Sequence, residues 1–117
     1  MDTNLYHDPK GAGVSILAVI EWQNEPYQFD MTLVVRRLTD DALFYLEDKG
    51  CSCPLPFEDR TLDNARPIQP HTYGAFRAHL LTRSRNGAAP TTETVQKTLT
   101  AVRHRLAHTA RRTPGAA

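Results

Sequence analysis

The chain of 117 residues contains only two cysteines, Cys51 and Cys53, and a single residue separates them. A disulfide between them would close a strained ring, and no other cysteine can tie distant segments together. The longest apolar run, residues 16–20, is too short to cross a membrane. Residues 1–13 lack the basic and apolar regions of a signal peptide, so we expect none. These absences predict a soluble cytosolic protein with reduced thiols and no membrane partner.

Signatures of catalysis are scarce as well. The chain has three serines, and none of them lies in a nucleophile elbow. The glycines within residues 11–13 are not followed by the third glycine of a dinucleotide-binding loop. The carboxylates at residues 40–41 and 58–59 are immediate neighbours in sequence, an arrangement that points them apart on a turn. The sequence therefore predicts a protein without enzymatic activity and without a cofactor.

Residues 50–58, Gly-Cys-Ser-Cys-Pro-Leu-Pro-Phe-Glu, hold both cysteines and two of the eight prolines. A structural zinc site needs four ligands, usually as two close pairs, and no second cysteine pair is present. We interpret the segment as a stiff connector whose thiols act as small hydrophobic groups. A reactive thiol and a metal site are the alternatives. The metal site would use Cys51, Cys53, His71 and His79.

Four segments resemble a known family. They are residues 6–9 (Tyr-His-Asp-Pro), 21–22 (Glu-Trp), 29–32 (Phe-Asp-Met-Thr) and 50–59, of which the last is the most specific. The chain resembles small proteins of unknown function that phages and prophages of actinobacteria encode. The resemblance covers roughly residues 6–66 and implies a phage or prophage origin and a bacterial cytoplasm. The family has no established activity, so no catalytic residue is carried over.

The apolar pattern predicts an α+β fold that begins with a three-stranded antiparallel meander. Alternation and turn residues predict strands at residues 14–22, 27–37 and 43–47. A Pro/Cys-containing loop at residues 48–70 follows, with two C-terminal helices after it. The first helix, residues 72–85, should start at Thr72 and cover the sheet. The first strand is expected to place Ile16, Ala18, Ile20 and Trp22 on one face.

The second helix carries a narrow apolar seam and a basic opposite face. We expect an α+β domain over residues 1–87, a basic helix appended by a short linker over residues 88–112, and a disordered tail at residues 113–117. The seam needs a cover, either the chain's own core or a partner. The partner-binding candidates are the seam residues Val95, Leu99, Val102 and Leu106 and the basic residues Lys97, Arg105, Arg111 and Arg112.

Charge is divided unevenly along the chain. Residues 1–63 hold 12 acidic and 5 basic side chains, whereas residues 64–117 hold 1 acidic and 9 basic side chains. This asymmetry favours an acidic partner for the C-terminal half or a contact between copies through the C-terminal helix. We therefore predict a phage or prophage accessory protein that binds a host or phage protein. The first alternative is nucleic-acid binding by the basic helix, and the next is a small zinc-binding module or an enzyme.

Overall fold

Four antiparallel strands form one sheet, and two helices follow them. The strands are β1 (Val14–Gln23), β2 (Gln28–Arg37), β3 (Leu43–Cys51) and β4 (Arg66–Ile68), and they lie in the order β1-β2-β3-β4. The helices are α1 (Tyr73–Asn86) and α2 (Thr92–Arg112). This computed structural model describes residues 5–23, 28–51, 57, 60–86 and 92–112. The α+β class, the antiparallel sheet and both C-terminal helices are confirmed, but the prediction of three strands is wrong because the sheet has four.

The fourth strand lies inside the stretch predicted to be an irregular loop. It has three residues and pairs with the start of β3, where Leu43 faces Ile68. Its middle residue, Pro67, cannot donate a backbone hydrogen bond, and proline is tolerated in sheets mainly at edges. So short a strand around a proline has no alternating pattern, which explains why the sequence does not predict it. β3 is also longer than predicted, because residues 48–51 pair with the first residues of β2.

A bulge in β1 changes which of its side chains share a face. The pairing with β2 slips between Ile16 and Ala18, so Leu17 has no direct partner. Because a bulge inserts one residue, the alternation reverses on one side of it. Leu17 and Ala18 therefore both contact the helix-side core, whereas Ile16 packs on the opposite face. The prediction that Ile16 shares a face with Ala18, Ile20 and Trp22 is therefore wrong for Ile16, and the prediction that Leu17 lies opposite Ala18 is wrong as well.

Both faces of the sheet are buried. On one face, Ile20 and Val34 pack against residues of α1 and α2. On the other face, Met31, Leu33 and Val35 pack against residues outside the regular elements, among them Leu5 and Phe57. Met31, Leu33 and Val35 follow the predicted alternation of the second strand, and all three are buried. The helices cover the other face of β2, where Asp30, Thr32 and Val34 lie.

Phe57 packs against the sheet. Its side chain is fully buried, and its N–H donates to Asp48 Oδ2 at 2.9 Å. Its φ of 63° lies in the left-handed region, which costs a residue other than glycine about 1 kcal/mol or more. Burial of the ring and the bond to Asp48 offset that cost. Cys53 lies outside the described residues, as does the side chain of Cys51, so their predicted role as small hydrophobic groups stays a prediction.

Two threonines organise the approach to the helices. Thr61 caps a short 3-10 turn at Leu62–Asn64, and the side chain of Asn64 accepts the Thr61 N–H in return. Thr72 has the position of an N-cap, since its carbonyl accepts the N–H of Phe76. Its hydroxyl, however, accepts the N–H of Gln69 and not one from the helix. Thr72 therefore marks where α1 begins and at the same time holds the preceding turn.

Helix α2 packs on the same core as α1 and the sheet. Its buried residues Val95, Leu99 and Val102 belong to one cluster with Ile20, Val34, Phe76 and Leu80. The predicted linker, residues 87–90, and the predicted tail, residues 113–117, lie outside the described residues. Within the described ranges, neither helix is long and apolar enough to cross a membrane.

Candidate functional sites: a polar cluster and the outer face of helix α2

A cluster of polar side chains lies between the sheet and α1. We call it the Glu47 cluster; its members are Trp22, Asp30, Thr32, Glu47, His79 and Arg83. The alternation of the strands places the four strand residues, those from Trp22 to Glu47, on the helix side of β1, β2 and β3. His79 and Arg83 are four residues apart on α1 and thus share one helix face. The cluster therefore joins three strands and one helix.

Glu47 is the centre of this cluster. Its Oε2 accepts a hydrogen bond from Thr32 Oγ1 at 2.7 Å and another from Arg83 Nη1 at 2.9 Å. Its Oε1 lies 2.8 Å from His79 Nε2. Because an ionised carboxylate only accepts hydrogen bonds, His79 is the donor in this pair. Both oxygens of Glu47 are therefore engaged.

Arg83 is held from three sides. Its Nη2 donates to Asp30 Oδ2 at 2.7 Å, in addition to the bond that Nη1 donates to Glu47. Its guanidinium carbon lies 4.6 Å from the centre of the Trp22 ring, within the range of a cation–π contact. Trp22 in turn donates from Nε1 to Thr32 Oγ1 at 2.8 Å. The guanidinium is thus positioned by two carboxylates and an aromatic face.

The hydrogen bonds to Glu47 decide its charge. Burial raises the pKa of the Glu47 carboxyl, but the hydrogen bonds from Thr32, His79 and Arg83 together outweigh this effect. The pKa therefore lies below its usual range. Glu47 is ionised at neutral pH and keeps its contacts with Arg83 and His79.

An open cavity of about 600 Å³ lies beside the cluster. Its lining also includes Asp48, Lys49 and Arg60, so acidic and basic groups are mixed. Arg60 approaches Asp48 at 3.4 Å, and the guanidinium of Arg83 is shared between two carboxylates. Arg83 and Arg60 both bind carboxylates of this cavity, and the pairs of Arg83 fit a structural clamp between α1 and the sheet. The described residues that line it include no cysteine, serine or threonine.

The described residues do not bring the predicted metal ligands together. His79 bonds to Glu47, and His71 is exposed in the turn before α1. Of the side chains that the structure describes, no three or more His, Cys, Asp and Glu are grouped so that they hold a metal ion. The prediction for Cys51 and Cys53 concerns side chains outside this description.

Sequence reasoning did not identify the Glu47 cluster as a unit. Two signals for it were present: polar Asp30 and Thr32 alternate on β2, and His79 and Arg83 are spaced by four on a helix. Neither signal shows that α1 lies over that face of the sheet. That placement is a property of the tertiary fold.

The apolar seam of α2 is covered within the chain. Val95 and Val102 are fully buried, Leu99 is 4% exposed, and the half-buried Leu106 packs against the same cluster. The backbone carbonyl of Leu99 also accepts a hydrogen bond from Tyr73 of α1 at 3.2 Å. The four seam residues predicted as partner contacts therefore face the protein's own core.

The basic residues of α2 lie on its outer face. Lys97 is 75% exposed and forms an ion pair with Glu93 at 3.1 Å. Arg103, His104 and His108 are exposed, and Arg105 is half-buried. The side chains of Arg111 and Arg112 lie outside the described residues. Of the predicted basic candidates, Lys97 and Arg105 are therefore placed on one surface.

This surface contains an open groove of about 520 Å³. Leu17, from the bulge of β1, lines it together with residues of α2. The α2 residues are Glu93, Gln96, Lys97, Thr100, Ala101, His104 and Arg105. The groove therefore combines apolar and basic groups and connects the outer face of the helix with the first strand.

Comparison with known proteins identifies one family. Residues 3–112 match the model of a family described as Domain of unknown function (DUF7574). The match extends beyond residue 66, where the resemblance carried by the sequence motifs ends, and includes both helices. No curated protein and no solved structure matches the chain.

Proposed function

The chain belongs to the DUF7574 family, whose function is unknown, and we propose that it is a non-enzymatic accessory protein that binds an acidic protein partner. The outer face of α2 is the proposed contact surface. The resemblance to actinobacterial phage proteins supports a phage or prophage origin and action in the bacterial cytoplasm. The partner would then be a host or phage protein.

The groove between Leu17 and α2 is the observation that carries this proposal. Lys97 and Arg105 supply positive charge, whereas Leu17 and Ala101 supply apolar surface in the same depression. Protein interfaces combine an apolar centre with a polar rim. The seam of α2 is buried in the chain's own core, so the outer face is the part of the helix that remains for a partner.

Nucleic-acid binding is the second candidate, and the exposed Arg103, His104 and His108 favour it. Binding to a phosphate backbone depends on cations along a continuous path. On α2, Glu93 neutralises Lys97 in the first turns of the helix, which interrupts such a path. The apolar residues in the groove likewise suit a protein better than a phosphate backbone.

Affinity capture from an actinobacterial lysate, with and without nuclease treatment, tests the proposal. The bait proteins are the wild type, a Lys97→Glu/His104→Glu variant, whose two exposed residues line the groove, and an Arg77→Glu control, whose exposed arginine lies on α1. We expect a protein that the wild type and the control retain after nuclease treatment and that the double variant loses. Retention of nucleic acid alone, or equal capture by all three baits, would reject the proposal.

A further inference from the structure

The first strand forms one open edge of the sheet. β1 has ten residues and is the end member of the order β1-β2-β3-β4. Within the described part of the chain, no strand pairs with its outer side, and at its start Val14 donates its N–H to the Pro9 carbonyl at 2.9 Å. An edge strand presents a row of backbone N–H and C=O groups that can pair with another chain.

The opposite edge of the sheet is much less suited to such pairing. It is formed by β4, which has three residues. The middle residue of β4 is Pro67, which has no N–H to donate. Short, proline-containing edges are a common protection against pairing with other chains. β1 is more than three times as long and contains no proline.

The groove described above connects this edge with the outer face of α2. Leu17 is the bulged residue of β1, and it lines the groove with Lys97, Ala101, His104 and Arg105. A strand added beside β1 would therefore lie next to a basic helix flank. Because strand side chains alternate, every second side chain of that strand would point to the side where α2 lies.

We propose that the outer edge of β1 binds an extended acidic segment of the partner protein as an additional strand. This proposal rests on the proposed function and names its mode of binding. Backbone hydrogen bonds to β1 hold the segment, and side chains at alternate positions give specificity, as in other cases of strand addition.

Charge complementarity defines the occupant. Acidic side chains on the α2 side of the added strand lie near Lys97 and Arg105, and an apolar side chain among them contacts Leu17 and Ala101. Glu93 also lines the groove and is paired with Lys97 at 3.1 Å, but Lys97 and Arg105 outnumber it, so the groove stays positive overall. A basic or neutral segment lacks this match, so the segment should carry glutamate or aspartate at alternate positions.

Fluorescence anisotropy with a labelled peptide tests the proposal. The probe is a ten-residue peptide in which glutamate alternates with threonine, and one valine replaces a central glutamate so that it lies among the acidic side chains. Two further peptides of the same sequence carry backbone N-methyl groups at alternate residues. One is methylated at the odd residues and the other at the even residues, so each lacks the N–H donors along one edge of the extended peptide. N-methylation removes backbone donors and leaves side chains and charge unchanged.

We expect the unmodified peptide to bind the full chain and at least one N-methylated peptide to bind at least about tenfold more weakly, a loss of about 1.4 kcal/mol. Lys97→Glu should weaken binding of the unmodified peptide by a similar factor, whereas Arg77→Glu should not. Equal binding of all three peptides would overturn strand addition and leave recognition of an acidic protein intact. Absence of peptide binding combined with binding of duplex DNA would reject both proposals.

The alternative occupant of the β1 edge is a second copy of the chain. Sedimentation velocity of the wild type and of Lys97→Glu separates this case. A monomer in both samples is expected. A dimer that Lys97→Glu dissociates would overturn the proposal, because the edge would then be occupied by another copy of the chain.

Discussion

Arg83 shows how single residues hold α1 against the sheet. Its two terminal nitrogens bond to Asp30 and Glu47, and its guanidinium lies over Trp22. The side chain is 26% exposed, so water screens these contacts less than it screens an ion pair on the surface. Removal of the guanidinium would leave two half-buried carboxylates side by side, which is unfavourable.

Replacement of this arginine should therefore destabilise the fold. We expect Arg83→Ala to lower the free energy of unfolding by about 2–3 kcal/mol, since it removes two charge-assisted hydrogen bonds. Arg85→Ala is the matched control, because Arg85 is exposed on the same helix, and it should change stability by less than about 0.5 kcal/mol. Urea unfolding of both variants measures the difference. Equal stabilities would show that the cluster does not hold the helix.

Glu47 should make the free energy of unfolding decrease at acidic pH. Its pKa is lower in the folded protein than in the unfolded chain, so its contribution is present above the unfolded pKa and is lost as pH falls through the folded pKa. The window begins near the ordinary glutamate pKa of about 4.3 and extends below it. The hydrogen bond from Arg37 lowers the pKa of Asp40 to about 2. Asp40 is present in the wild type and in the variants, so its titration affects all of them equally.

Glu47→Gln should therefore flatten the decline of stability below about pH 4.3, because the glutamine does not bind the proton. Thr100→Ala is the control, since Thr100 is exposed and carries no titratable group, and it should keep the slope of the wild type. Unfolding curves between neutral pH and pH 3 give the slopes. If Glu47→Gln and the wild type lose stability in parallel, the hydrogen bonds to Glu47 do not control its ionisation.

At the scale of elements, periodic segments are predictable and interruptions are not. The alternation of β2 and the 4-3-4 spacing of α2 follow directly from side-chain periods of two and 3.6 residues. The bulge at Leu17 reverses alternation with one extra residue that resembles its neighbours chemically. β4 has no pattern of its own, since pairing with β3 and burial of Ile68 define it.

Helix α2 permits a test of its two faces. Leu99 is 4% exposed against the core, whereas the next residue, Thr100, is exposed on the outer face. Leu99→Asp should lower the free energy of unfolding by about 3–5 kcal/mol, because it buries an uncompensated charge. Thr100→Asp should change it by less than about 0.5 kcal/mol. Similar thermal or urea midpoints for both variants would mean that the seam does not pack on the sheet.

At the scale of the whole molecule, charge is partly neutralised inside the fold. Acidic Asp30 and Glu47 on the strands meet Arg83 and His79 on α1. The sequence predicts the basic character of the C-terminal half, and Lys97 and Arg105 do line the groove. It does not show that the apolar seam faces inward, because a seam alone fits an internal core and an interface equally well. The contact of Leu17 with this surface depends on the bulge and is likewise invisible in sequence.

Amide hydrogen exchange with and without the acidic probe peptide tests the proposed binding mode most directly. Strand addition should slow exchange of amides on the outer side of β1, because they become hydrogen-bonded to the peptide. β4 is an internal control, since it is the other edge of the same sheet. We expect slower exchange within Val14–Gln23 and unchanged exchange within Arg66–Ile68. Unchanged exchange in β1 under conditions where the peptide is bound would contradict the placement of the partner at this edge.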